Sequence, residues 1–328
     1  MNEEPLLSVR HLTTEFVVAQ GLVARALEDV SFDVLPGQTV GLVGESGCGK
    51  TTTLMSIMRL LPSNGRITSG EIRFQGRDLL RLSEREMRSY RWKEMAIIFQ
   101  GAMNALNPVM KIGDQIREAI LLHNLMDRGH ADKRVDELLE MVGIPRARRG
   151  QYPHQYSGGM RQRAMIAMSL ACAPDLLFAD EPTTALDVMI QAQVLELLRD
   201  IQKALGLAIV LVTHDLGVVA EVCDSVVVMY GGKVAEYGSA DRIYNYAQHP
   251  YTQRLLASFP DVNRPSETLV SIPGIPPRLT DLPRGCRFEP RCGVRLAKCA
   301  EIDPHLIEVT DQHYAACHLC EGTQAHFA

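Results

Sequence analysis

The apolar positions of LSVRHLTTEF and VSFDV, set among polar ones, predict strands within the first forty residues, followed by a turn at Pro36-Gly37. TVGLV reads as a strand and passes directly into the glycine-rich GESGCGKT, after which TTTLMSIMRLL reads as a helix. Beyond PSNGRITSG, read as a linker, EIRF and MAIIF are two more short strands with charged, helical sequence between them. The period turns helical from Asp114 to Gly143. DQIREAILLH is expected to start at an Asp114 cap, and Val135, Leu138, Leu139 and Val142 share one face. An inserted helical subdomain is therefore placed at about 101–165. Alternation of strands and helices then resumes. LLFAD and LAIVLVT are buried strands flanking the long helix VMIQAQVLELLRDIQKAL, and VVVMYGGKVAEYG is a hairpin across Gly231-Gly232. The result is an α/β core whose sequence is split by helices. From Tyr246 onward prolines and cysteines replace long apolar runs, so 246–328 is read as a smaller C-terminal domain with limited regular structure.

Composition changes this picture little. A chain of 328 residues, 46% apolar and 22% charged, is long enough for about two domains, and a net charge of −5 offers no basic field for nucleic acid. The acidic start MNEEPLLSV does not resemble an export signal, and no apolar run is long enough to span a bilayer. Five of the eight cysteines fall between Cys286 and Cys320, a clustering that points to metal rather than disulfides.

The chemistry begins with Gly44, Glu45, Ser46, Gly47, Cys48, Gly49, Lys50 and Thr51. The glycines let successive N–H groups turn toward phosphates, and the helix that follows adds its positive dipole end. Lys50 is expected at the β- and γ-phosphates and Thr51 on Mg²⁺. Cys48 is expected to contribute only its backbone. Four apolar residues run into Asp180 and Glu181, which suit magnesium binding through water and activation of a water nucleophile, respectively. Pro182 stops the strand and Asp187 caps the next helix.

With YSGGMRQR at 156–163 between these two elements, the chain resembles the ATP-binding cassette family over about residues 5–240. The resemblance implies a P-loop NTPase (RecA-like) core with an antiparallel β subdomain and an inserted helical subdomain, spanning 1–245. It makes Ser157, Gly158 and Gly159 the family signature, which grips the γ-phosphate of a nucleotide bound to the opposite cassette. Met160 stands where a glutamine is common. By the same resemblance Gln100 contacts Mg²⁺ and water, His214 holds the γ-phosphate and the catalytic water, Asp187 communicates across the dimer, Thr52 joins the nucleotide loop, and Phe16 stacks on adenine. ATP and Mg²⁺ are the implied ligands.

The segment GAMNALNPVMKIGDQI resembles the permease-docking surface of the dipeptide/oligopeptide/nickel import group. HPYTQRLLASFPD, SIPGIPPRL and LPRGCRFEPRC, with AKC and AACH, resemble the C-terminal extension of the oligopeptide and dipeptide ATPase subunits over about 245–320. Cys286, Cys292, Cys299 and Cys317 match the extension's cysteines. Four thiolates suit either an iron–sulfur cluster or zinc, and spacing does not choose between them. The resemblance favours a [4Fe-4S] cluster, and Cys320 is a spare or alternative ligand. It further implies a second cassette subunit, paralogous or identical, two transmembrane permease chains, an extracytoplasmic solute-binding protein, and a peripheral place on the cytoplasmic face of the cell (inner) membrane. The expected activity is ATP hydrolysis driving peptide import. Nickel, opines or oligosaccharides are alternative solutes. The other classes weighed are a soluble cassette ATPase and a metal- or redox-sensing regulator.

Overall fold

In the computed structural model, which describes residues 4–101, 105–184, 186–258 and 271–321, strand β1 (Leu7–Val17) buries Leu7 and Val9 and then Leu12 and Thr14. The inward positions change from odd to even because His11 takes a φ of 50°, and the register with β2 (Val23–Val34) shifts between Val9 and Leu12. A bulge thus turns a broken alternation into a strand with one buried face. β3 (Thr39–Val43) is buried at every position, as expected of a strand covered on both sides. It leads to α1 (Lys50–Ile57).

β4 (Gly65–Phe74) takes in most of the stretch read as a linker, and β5 (Arg77–Asp78) follows it. Most of GRITSG is exposed and is held by backbone pairing with β1, from Phe16–Gly65 to Thr13–Ser69, so burial leaves no periodic mark on its sequence. α2 (Glu84–Tyr90) starts on a Ser83–Glu86 capping box and is followed by β6 (Met95–Ile98). The helical stretch expected from 114 to 143 is two helices, α3 (Ile112–Leu122) and α4 (Arg128–Met141). α3 begins before Asp114, because Ile112 belongs to the buried face with Ile116, Ala119 and Ile120. Asp114 sits in the first turn and pairs with Arg117. Asn124, at φ 52°, lies in the break, and Asp127 caps α4 by accepting from the N–H groups of Gly129 and His130.

α5 (Gly158–Ser169), β7 (Leu176–Asp180), α6 (Val188–Leu205) and β8 (Ala208–Val212) complete the middle of the chain. α7 (Leu216–Val222), β9 (Ser225–Tyr230), β10 (Lys233–Ser239), α8 (Ala240–Tyr246), α9 (Pro250–Ala257), β11 (Ile307–Thr310) and β12 (His313–Ala315) follow.

The chain divides into two compact units. The first comprises Met1–Val34, Thr39–Leu80 and Thr213–Ala328. It holds the antiparallel sheet β2-β1-β4-β5, and a second strand series in which β3 pairs in parallel with β9, and β9 runs antiparallel to β10. β12 pairs with β10 through Glu236–Ala315 and Tyr237–Tyr314, and β11 pairs with β12, so strands from the cysteine-bearing extension continue this series. The second unit, Leu35–Gln38 with Arg81–Val212, carries the parallel strands β6-β7-β8 and the helices α2 to α6.

The junction of β10 with the extension is polar and closed. The fully buried Glu236 accepts from the N–H groups of Gln248 at 2.7 Å and His249 at 3.0 Å, and a ring nitrogen of His313 lies 2.7 Å away. Burial holds the His249 imidazole down at about 4, so it stays neutral, and its Nδ1 accepts from the N–H of Tyr251 at 3.0 Å.

Candidate functional site

In the first unit, the loop between β3 and α1 requires its glycines. Gly44, Gly47 and Gly49 have φ values of 145°, 79° and 110°. A Cβ on Gly44 would lie 2.2 Å from the carbonyl oxygen of Met229, and one on Gly49 2.8 Å from that of Ala26. Lys50 opens α1, is only 6% exposed, and donates from Nζ to the carbonyls of Gly44 at 2.7 Å and Glu45 at 3.1 Å. Its ammonium is therefore folded back over the loop, close to the N-terminus of α1. Ser46 and Thr51 are exposed and Thr52 is half-buried. Burial raises the Cys48 thiol above its ordinary range, so it is not a ready thiolate.

His214 is an exposed residue fixed from both sides. The N–H of Asp215 donates to the Thr213 hydroxyl at 3.0 Å, and the Asp215 carboxylate caps α7. Phe16 is half-buried on β1 opposite Gly65, where a Cβ would come within 2.6 Å of its ring.

In the second unit, Gln100, just after β6, donates from Nε2 to Glu181 Oε2 at 2.7 Å, and the Thr184 hydroxyl donates to the same oxygen at 3.0 Å. Glu181 follows β7 at a φ of 46°, with its N–H donating to the Val212 carbonyl at 2.9 Å. A non-glycine residue held in that region is strained, and here three hydrogen bonds keep it in place. Asp180, the last residue of β7, is 2% exposed. Thr184 was not singled out from the sequence. Its only signal was its place three residues beyond Glu181.

Ser157 caps α5 by accepting from the N–H of Met160 at 3.3 Å, leaving the helix N-terminus to Gly158 and Gly159. A Cβ on Gly159 would meet Ile190 at 2.9 Å, so this glycine lets α5 approach α6. Asp187 caps α6 by accepting from the N–H of Ile190 at 3.0 Å, and Val188 and Met189 next to it are 79% and 73% exposed. Ala185 of TALD, Ala102–Asn104 of the expected docking segment, and 259–261 of the extension motif lie outside the described residues.

In the extension, Cys286, Cys292, Cys299 and Cys317 line one cavity together with Phe288 and His318. The N–H of Cys286 donates to the Cys299 carbonyl at 2.8 Å, an approach that Gly285 permits, since a Cβ there would lie 2.3 Å from the same oxygen. Burial pushes the Cys286 thiol up to about 11 and raises Cys292 as well. These two ionise readily only with a cation beside them, whereas the Cys317 thiol is lowered to about 7, chiefly by its hydrogen bond with Cys320. Among the described residues, no group of three or more His, Cys, Asp or Glu side chains is placed to hold a metal ion. Cys320 does not line the cavity; it packs with Val309 and Ala315.

Two family models match the chain: ABC transporter over residues 27–184, and oligopeptide/dipeptide transporter, C-terminal region, over residues 235–299. The chain is 48% identical to the dipeptide transport ATP-binding protein DppD of Bacillus subtilis, over 98% of its own length and 97% of that protein. It is 44% identical to the oligopeptide transport ATP-binding protein OppD of Escherichia coli, over 96% and 93% of the two chains. Among solved structures, the dimeric post-hydrolysis state of the ATP-binding cassette MJ0796 bound to ADP and phosphate is similar, with a TM-score of 0.64 and 26% identity over 71% of this chain and 98% of that one. Glycine loop, capped α5 and acidic strand end occur here in one α/β chain with a matched extension, and the likeness to transport ATP-binding proteins runs nearly end to end. The protein is a member of the ATP-binding cassette family, of the dipeptide/oligopeptide transport group.

Proposed function

We propose that this chain is the ATP-hydrolysing subunit of an importer of dipeptides or oligopeptides, working with separate permease chains. The observation that carries the reading is the near full-length likeness to dipeptide and oligopeptide transport ATP-binding proteins, extension included. The working division is a nucleotide-binding domain over 1–245, with its helical subdomain at about 101–165, and a C-terminal domain over 246–328.

Within that reading, Lys50 leaves the carbonyls of Gly44 and Glu45 to meet the β- and γ-phosphates, and the loop N–H groups and the start of α1 hold the triphosphate. Thr51, Asp180 and Gln100 supply oxygen donors of the kind Mg²⁺ takes. Glu181 accepts a proton from water as the water oxygen bonds to the γ-phosphorus and the bond to ADP breaks. Gln100 and Thr184 both bond to Oε2 and so orient the carboxylate for that task. His214 steadies the γ-phosphate. Ser157, Gly158 and Gly159 present a helix N-terminus to the nucleotide of a second cassette, and Asp187 with the exposed Val188 and Met189 belongs to the same contact.

Cys286, Cys292, Cys299 and Cys317 are proposed to hold a [4Fe-4S] cluster, with zinc as the alternative. What supports a shared metal group is that the four thiols line one cavity, and four thiolates suit either choice. When bound, such a group supplies stability to a region with a small apolar core. No helix among the described residues is long and apolar enough to cross a membrane, so the proposed place at the cytoplasmic face of the membrane depends on permease partners.

Affinity purification of the tagged protein from detergent-solubilised membranes of its host is expected to bring two permease chains and a second cassette. Recovery with ribosomes or DNA instead, and no membrane protein, would overturn the assignment.

A further inference from the structure

Glu45, the second residue of the nucleotide loop, is held by residues from the far end of the chain. Its carboxylate receives a bidentate pair from Arg291, Nη1 to Oε2 at 2.6 Å and Nη2 to Oε1 at 3.0 Å, across 246 positions of sequence. Its N–H donates to the hydroxyl of the fully buried Tyr251 at 2.9 Å. Its carbonyl accepts from Lys50 at 3.1 Å. Arg291 is itself locked: the side chain is 4% exposed, Nε donates to the Pro273 carbonyl at 2.8 Å, and Nη1 donates to the Tyr230 hydroxyl at 3.1 Å. Tyr230, Tyr251 and Phe288 pack as an aromatic cluster beneath the loop, with centroids 4.6 to 5.4 Å apart.

A carboxylate beside a phosphate-binding loop opposes the charge that the loop exists to bind. Water screens it little, because Glu45 is largely covered. A bidentate guanidinium is the side chain that cancels such a charge in fixed geometry.

We propose that the C-terminal extension is a working part of the nucleotide site: Arg291 neutralises Glu45 and, with Tyr251, positions the start of the phosphate loop for ATP. Both are positioning residues that act through Glu45 rather than touching the nucleotide. The proposal rests on the reading of the Gly44–Thr51 loop as the ATP site. It differs from a role for the ion pair as a mere anchor of the extension, because an anchor is indifferent to the sign of the charge left behind when one partner is removed.

The test is equilibrium binding of a fluorescent ATP analogue with Mg²⁺ to the purified full chain, with the melting temperature of each variant recorded alongside. Arg291→Gln leaves an uncancelled carboxylate and is expected to raise Kd about tenfold, whereas Glu45→Gln leaves an uncancelled guanidinium and is expected to lower Kd about threefold. The double variant is expected to return to within about threefold of wild type. A double variant as weak as Arg291→Gln, or a Glu45→Gln variant that binds more weakly than wild type, overturns the proposal. If Arg291→Gln does not fold, the sign of the change in Glu45→Gln decides the matter alone. Lys50→Ala serves as the separate control. Unchanged binding there would refute the loop as the ATP site, whatever the charge variants do.

Discussion

Glu181→Gln is expected to retain ATP binding and to lose turnover by about 10²–10⁴-fold. Glutamine keeps the length of the side chain and an oxygen that can accept from Gln100 and Thr184, so the hydrogen bonds at 2.7 and 3.0 Å can survive. What it removes is the carboxylate oxygen proposed to take the proton from water, a function no neighbour among the hydrogen-bonded donors can replace. Because phosphoryl transfer is otherwise a matter of positioning and charge, the variant should hold nucleotide in an assembled site and stall there. Phosphate release in the assembled complex, measured beside nucleotide binding, checks both halves. Turnover at this site near the wild-type rate would remove Glu181 from the chemistry.

The second large effect concerns the cysteines. Protein purified without oxygen is expected to be brown, with a broad absorption band at about 400 nm and bound iron, and Cys286→Ser is expected to lose the colour and melt at a lower temperature. The reason lies in the pocket. Burial pushes Cys286 up to about 11 and raises Cys292, so a cation beside them is needed to hold these two as thiolates, and Cys299 and Cys317 face the same cavity. Stoichiometric zinc without iron would replace the cluster by a single ion. The absence of both metals would leave the thiols as unliganded core residues.

Much of the fold is written locally. β3 and β7 are mostly apolar runs, and the structure buries each of them completely. Gly44 and Gly49 were legible because a phosphate loop needs backbone that only glycine adopts, and the approaches to Met229 and Ala26 give the same requirement from the packing side. Ser157 and Asp187 were legible as caps, since a short polar side chain before an apolar helical stretch has one common use.

What was missed is non-local or carried by the backbone. GRITSG reads as a linker because pairing with β1 holds it without burial. Asp114 suggested a cap, but the demand to bury Ile112 starts the helix earlier. The meeting of Gln100 with Glu181 and of Arg291 with Glu45 depends on tertiary structure, across 81 and 246 positions, and no periodicity encodes either. Resemblance to a family supplied a role for Gln100. Nothing supplied one for Arg291, which in sequence is only a basic residue beside Cys292.

Together these features describe a chain in which the nucleotide loop, the acidic strand end and the capped α5 are intact, and in which the extension reaches back to the loop. The central claim, that ATP hydrolysis here drives peptide uptake, is tested most directly by reconstituting the assembled complex in proteoliposomes with ATP on the cassette side and following a labelled dipeptide or oligopeptide. The account predicts ATP-dependent accumulation of the peptide that Glu181→Gln in this subunit abolishes or sharply reduces. Vigorous ATP hydrolysis with no peptide accumulation, while nickel or an oligosaccharide is taken up instead, would contradict it.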